Sequence, residues 1–255
     1  MLTCVNFAGV NLPRNVYGCQ HPFVTSDDAA PNRDAYHHGD LRNALVAASA
    51  ELAETGGPDA VTVRAAARAV GVTATAAYRH FAGRDELIAA AKTQALASLF
   101  GSMQTFLKSL APQEDPVQDA VAQMYAIGQG YVRFALAERG LFRTAFYGDE
   151  QVVTEAKELS GGDSAFEMLS RSLDDLVAVG FMDPRDRPEA EVAAWSMVHG
   201  LAMLMIDGPL RGLAEPARAV LIHRTLAASL RGFADGPNAE PVRSTDPHVT
   251  GEPLR

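Results

Sequence analysis

The chain has 255 residues, 47% of them apolar, and a net charge of −9, so it can bury a core as one large helical domain or as a small domain docked on a larger one. Its longest apolar stretch, Trp195 to Ile206, is interrupted by Ser196, His199 and Gly200 and falls short of the roughly 18 residues of a membrane span. The first residues carry neither a basic n-region nor an apolar core, which excludes a secretory signal and predicts a cytoplasmic protein without a membrane partner.

Residues 1–36 show no helical period and contain Pro13, Pro22 and Pro31; they are expected to form a disordered arm. Its lack of structural logic points to a translation start further downstream, for instance at Val24. Both cysteines, Cys4 and Cys19, fall in this arm, so neither a disulfide scaffold nor a metal site is indicated. From residue 37 the pattern changes. Leu41, Leu45, Ala48 and Leu52 recur at helical steps, with Asp40 as N-cap and Gly56-Gly57-Pro58 as the stop. A second helix runs from a Thr62 cap to Val70, Gly71 supplies a left-handed turn, and Thr73 caps a short third helix through His80. Gly83-Arg84-Asp85-Glu86 opens a long fourth helix, its acidic residues where the helix dipole favours them. Leu87, Ala91, Leu96, Leu99, Met103, Phe106 and Leu110 form its buried stripe. Further helical periods follow at about 117–138, 141–157, 164–179, 188–207 and 216–233, and residues 235–255 read as a disordered tail. No segment alternates as a strand, so the expected fold is all-α: a helix-turn-helix domain over 37–86 and a larger helical domain over 87–234.

Charge is unevenly spread. Residues 37–92 hold six basic and six acidic residues, whereas residues 93–255 hold 14 Lys+Arg against 22 Asp+Glu, a balance of −8. A neutral reader is joined to an acidic body, which leaves nucleic acid open as a partner.

Within the reader, Thr62 to Phe81 fits the demands of a helix-turn-helix, whose second helix inserts its N-terminal residues into the DNA major groove. Ala67 is small where the two helices approach, and Gly71 permits the turn. Val63, Val70, Val72, Ala77 and Phe81 form a shared core, which leaves Thr73, Thr75, Tyr78, Arg79 and His80 for DNA. The order Thr62-Val63-Arg64, Ala67, Gly71-Val72, Tyr78-Arg79-His80-Phe81, followed by Arg84-Asp85-Glu86-Leu87, resembles the DNA-binding domain of the tetracycline-repressor (TetR) family. The resemblance spans Gly39 to Leu87. It implies phosphate contacts from Thr73, Tyr78, His80 and Arg84, which position the protein without reading sequence. It implies base reading by Ala74, Thr75, Ala76 and Arg79, with Arg64 in either role; for Arg79 a helix-surface pair is an equal alternative. Ala74 stands where the family often has a basic residue, and Ala66 and Ala77 where larger aliphatics are common, so a less filled motif core is expected.

In the body, residues 195–200 resemble the Trp-His-Gly signature of one TetR C-terminal domain class. Trp195 and His199 are four apart and share a helix face. They line an effector pocket together with Met124 and Phe134, or else Trp195 is core and His199 a satisfied neighbour. The methionines and aromatics of this region, among them Tyr125, Tyr131, Phe142 and Phe146, suit an adaptable apolar cavity and an ordinary core equally. The helices at 188–207 and 216–233 are apolar over a wide arc, which fits either a four-helix homodimer interface or intramolecular packing. The resemblance implies a dimeric repressor of a palindromic double-stranded DNA operator, released by a small, apolar effector, or an activator of the same family. No Ser-His-Asp set, paired carboxylate site, metal spacing or phosphate loop supports an enzyme, and no cofactor, catalytic residue or metal ligand is expected.

Overall fold

The computed structural model describes residues 5–7, 10–12, 41–148 and 164–239. Asp40, both cysteines, Val24, residues 149–163 and most of the expected arm and tail lie outside the described residues.

Among the described residues nine α-helices carry the fold. Leu41–Gly56 (α1) ends where Gly57 takes a positive φ, and Pro58–Ala60 forms a single 3₁₀ turn. Val63–Val70 (α2) and Ala74–Tyr78 (α3) follow; α3 stops two residues before the expected His80. Arg84–Lys108 (α4) is the long fourth helix, and Pro116–Ala137 (α5) starts with its proline in the first turn behind an Asp115 cap, where the missing N–H costs nothing. Arg139–Ala145 (α6) is shorter than the period expected over 141–157: Phe146 caps it, and residues beyond Gly148 lie outside the described set. Ala165–Ala178 (α7), Ala190–Ile206 (α8) and Ala217–Gly232 (α9) complete the body, each within two residues of its expected bounds.

The sequence gives no sign of a strand, yet Val5–Phe7 (β1) and Val10–Leu12 (β2) pair antiparallel, Asn6 opposite Asn11. Three residues are too few for an alternating pattern to register. Apart from this hairpin the described residues are all-α.

Helix α4 belongs to both halves. Its first turns close the core of α1 to α3 through Leu87, Ile88 and Ala91, and its later turns pack on α5 through Leu99 and Met103. Of the expected stripe on α4, Leu96 is half-buried and packs against that core. The rest of the body wraps α5, which buries Val121, Ile127, Val132 and Ala135 on several sides, as a helix at the centre of a bundle must. An Arg143 to Asp207 bidentate pair ties α6 to the end of α8. Arg187 bridges Asp174 of α7 (2.7 Å) and Glu191 of α8 (2.9 Å). Among the described residues no helix is long and apolar enough to cross a membrane.

Candidate nucleic-acid interface and body cavity

The turn between α2 and α3 is built by three local devices. Thr62 Oγ1 accepts the Ala65 N–H at 3.1 Å and Thr73 Oγ1 accepts the Ala76 N–H at 3.2 Å, so each helix start has a side-chain cap. Between them Gly71 sits at φ 79°, ψ 26°, and Val72 N–H returns to the Ala67 carbonyl at 2.9 Å. That left-handed conformation is what glycine tolerates and other residues resist. Below the turn Val63, Ala66, Ala67, Ala77 and Phe81 are buried, with Arg42 stacked 4.8 Å from the Phe81 ring centroid. Ala66 and Ala77 are fully buried, and Val70 and Val72 pack at the core's edge.

The expected DNA-facing residues divide. Thr73, Thr75, Tyr78 (48% exposed) and Arg79 are exposed, as is Arg64 on α2, while Ala74 and His80 are half-buried. Ala76 is also half-buried and packs against the hydrophobic core, so it offers less to a base edge than Thr75 beside it. Among the described residues Arg64, Arg68 and Arg79 stand in no ion pair, which leaves three exposed cations on and beside the motif.

Arg84, expected at phosphate, also makes contacts within the protein. Its Nε donates to the Val61 carbonyl at 3.2 Å and its Nη2 to the Pro58 carbonyl at 2.9 Å, with Asp59 3.6 Å away and the Tyr147 ring centroid at 5.6 Å. Two of the guanidinium's N–H groups thus cap the 3₁₀ turn after α1 and position the start of α4 against that turn. Sequence alone misses this because the acceptors are main-chain atoms 23 and 26 residues away.

The joint between the two halves is close. Gly140, buried in α6, leaves no room for a Cβ against the Ala53 and Glu54 carbonyls of α1. Beside it the Glu138 carboxyl is pushed up to about 7 by a hydrogen bond shared with Glu54, by burial and by the Glu54 charge. A carboxyl raised in the folded state stabilises when protonated: its contribution is complete below the unfolded value of 4.5 and is lost as pH rises through about 7. The thermal midpoint is therefore expected to fall between about pH 5 and pH 8, and Glu138→Gln, which keeps a donor without the charge, to flatten that fall. Equal slopes in both proteins would contradict the shared proton.

In the body, described residues of α4, α5, α7, α8 and α9 enclose a cavity of about 90 Å³. Met103, Met124, Phe146, Leu169, Trp195 and Leu226 are among its wall residues. Of the four residues the sequence placed at an effector pocket, Met124 and Trp195 are on this wall, while Phe134 is buried core and His199 is not among the described wall residues. His199 Nδ1 is 2.8 Å from the Tyr131 hydroxyl, which also accepts the Trp195 indole N–H at 3.0 Å. Phe142 and Phe146 pack their rings against His199. A second pair repeats the pattern: Tyr125 Oη is 2.7 Å from His223 Nδ1 and accepts from Gln129 Nε2 at 3.1 Å. Burial lowers both histidines, His223 further through the charges of Arg224 and Arg231, and burial raises the Tyr131 phenol.

Comparison with known proteins assigns both halves. Residues 45–91 match the model described as bacterial regulatory proteins, tetR family, and residues 124–229 match the tetracyclin repressor-like C-terminal domain. The chain belongs to the TetR family of transcription regulators. The C-terminal match contains the Trp195 to Gly200 segment and most of the cavity wall. Among solved structures, a protein of unknown function from Rhodococcus sp. RHA1 is 26% identical with a TM-score of 0.62, over 79% of this chain and 99% of that one. TetR family transcription regulators from Shewanella sp. PV-4 (described as putative; 15% identical, TM-score 0.55, 76% and 98% covered) and Marinobacter aquaeolei VT8 (16%, 0.53, 75% and 95%) share the fold. No curated protein matches.

This TetR-family chain also leaves apolar side chains exposed on its last two helices: Val192, Met197, Met203 and Leu204 on α8 and Val220 on α9. Gly200, on the same helix, has open space where a Cβ would stand. The sequence marked both helices as apolar but could not separate the faces. Their inner residues Ala194, Leu201, Ala202, Ile222 and Leu226 are buried in the body's own core, so intramolecular packing accounts for one face and leaves the other uncovered. The wall residues Ser229 and Gly128 carried no sequence signal.

Proposed function

We propose that the protein is a homodimeric repressor that binds a palindromic operator and leaves it when a small molecule enters the body cavity. The observation that carries this reading is the capped α2-turn-α3 unit, which presents Thr75, Tyr78 and Arg79 to solvent beside the unpaired Arg64 and Arg68. The outer faces of α8 and α9 supply a self-complementary apolar surface of the kind an isologous dimer buries, and two-fold symmetry then matches a palindrome. Effector release requires that the ligand bind the DNA-incompetent state better, and a coupling of about 1–3 kcal/mol is typical. Because α4 runs from the first domain's core to the cavity wall at Leu96, Leu99 and Met103, it is the element that transmits the change.

Footprinting on selected DNA tests the interface. Tyr78→Phe removes a hydroxyl offered to phosphate and is expected to weaken binding to all sequences alike by roughly threefold to tenfold, with the salt dependence unchanged because no cation is lost. Thr75→Ala is expected to relax preference at one base pair per half-site, by about 1 kcal/mol. A uniform effect of Thr75→Ala would remove that residue from base reading. Met203→Glu is expected to convert dimer to monomer in sedimentation and to lose operator binding with it; an unchanged sedimentation coefficient would move the interface elsewhere.

A further inference from the structure

The cavity's own chemistry narrows what can enter it, on the reading that it is the effector site. Its wall is apolar except for Tyr125, Tyr131, Trp195 and Ser229, and no Lys, Arg, His, Asp or Glu is among the described wall residues. The polar groups are unevenly available. A tyrosine hydroxyl has one hydrogen. In the ring tautomer that makes His199 Nδ1 an acceptor, the Tyr131 O–H donates to it at 2.8 Å, and in either tautomer its oxygen takes the Trp195 N–H, so the indole donor is spent. Tyr125 likewise faces His223 Nδ1 while accepting from Gln129. With the histidines in that tautomer, leaving either buried O–H without its partner would be costly, so neither is free to serve an incoming anion. Ser229, half-buried on α9, makes no hydrogen bond to another described residue, and its hydroxyl can both donate and accept.

We infer that the cavity takes a small uncharged apolar molecule bearing one hydroxyl or carbonyl, paired with Ser229, and refuses carboxylates. An ionised carboxylate would be stripped of water with no cation among the described wall residues to replace it, whereas an alcohol loses one hydrogen bond and regains it at Ser229. Size points the same way. The cavity's 90 Å³ is below the roughly 150 Å³ that holds benzene in an engineered protein core, so a ligand of even that size enters by displacing the flexible thioethers of Met103 and Met124.

Trp195, the chain's single tryptophan, stands on the wall, so its fluorescence reports occupancy directly. Full-length protein is titrated at about pH 8 with pentanol and with pentanoate, which is ionised there, and each complex is also assayed on DNA fragments the protein has selected. Saturable pentanol binding at least about tenfold tighter than pentanoate, reduced by Ser229→Ala with an unchanged thermal midpoint, is the expected result; a tenfold ratio is the smallest that one lost hydrogen bond to a charged group should give. Pentanoate binding as tightly as pentanol overturns the neutral class and leaves the effector site standing. An equal pentanol affinity in Ser229→Ala removes Ser229 as the polar partner. Saturation by neither probe, in protein that still binds its selected DNA, overturns the inference together with the cavity as effector site, and leaves the DNA-binding reading intact.

Discussion

Replacing Gly140 by alanine is expected to lower the thermal midpoint by roughly 5–10 °C, from a loss of about 2–4 kcal/mol spread over a chain of this size. The substitution improves the intrinsic helix propensity of α6 by about 1 kcal/mol, so any loss must come from the neighbour. That neighbour is main chain. A Cβ at residue 140 would overlap the carbonyls of Ala53 and Glu54 in the last turns of α1, and backbone in a helix cannot swing aside as a side chain does. The damage therefore falls on the joint between the DNA-binding half and the body, where Glu138 and Glu54 also meet. Calorimetry of the wild type and the variant reads the effect. A midpoint unchanged within about 1 °C would mean that α1 and α6 do not approach this closely in solution.

The second large effect is expected at Phe81. Its ring is 1% exposed and is among the largest fully buried side chains of the protein. Ala66, Ala67 and Ala77, which share its core, are too small to refill the space. Truncation to alanine removes both the transfer energy and the filled volume, about 3–5 kcal/mol, and leaves Arg42 without the ring it covers. Because Trp195 lies in the body, its fluorescence follows that half, whereas far-ultraviolet dichroism follows all helices. Phe81→Ala is expected to separate the two transitions, with early partial loss of helix, a later Trp195 transition near that of the wild type, and no DNA binding. Coincident transitions shifted by the same amount would show that the halves unfold as one unit and would contradict an independent core under the motif.

How far the sequence could be read depends on the range of the interaction. Signals local in the chain were legible: the Thr62 and Thr73 caps, the left-handed Gly71 and the buried Leu87, Ala91, Leu99 and Met103 of the α4 stripe all depend on residues within about one turn of each other, where capping and periodicity act. The family resemblance rested on the same local pattern. What escaped was set by partners far along the chain. The Arg84 contacts to the Val61 and Pro58 carbonyls join residues 23 and 26 apart and left no local pattern. His199 looks like an effector contact until Tyr131, 68 residues earlier, takes its Nδ1. Phe134 has the right composition for a cavity wall but points into ordinary core, since an apolar helix such as α5 buries most of its circumference and periodicity cannot choose among its faces. Ser229 gave no signal, because one serine in an apolar helix has no spacing to betray it.

The central claim is sequence-selective DNA recognition by the α2-turn-α3 unit, and selection of bound fragments from genomic DNA by the purified protein, repeated across a salt titration, tests it most directly. The account predicts enrichment of a palindrome whose half-sites lie about one helical turn or a multiple apart, with affinity falling steeply as salt rises, as a DNA-facing surface that carries the exposed cations Arg64, Arg68 and Arg79 requires. Fragments recovered without a shared site, or binding absent even at low salt, would contradict it.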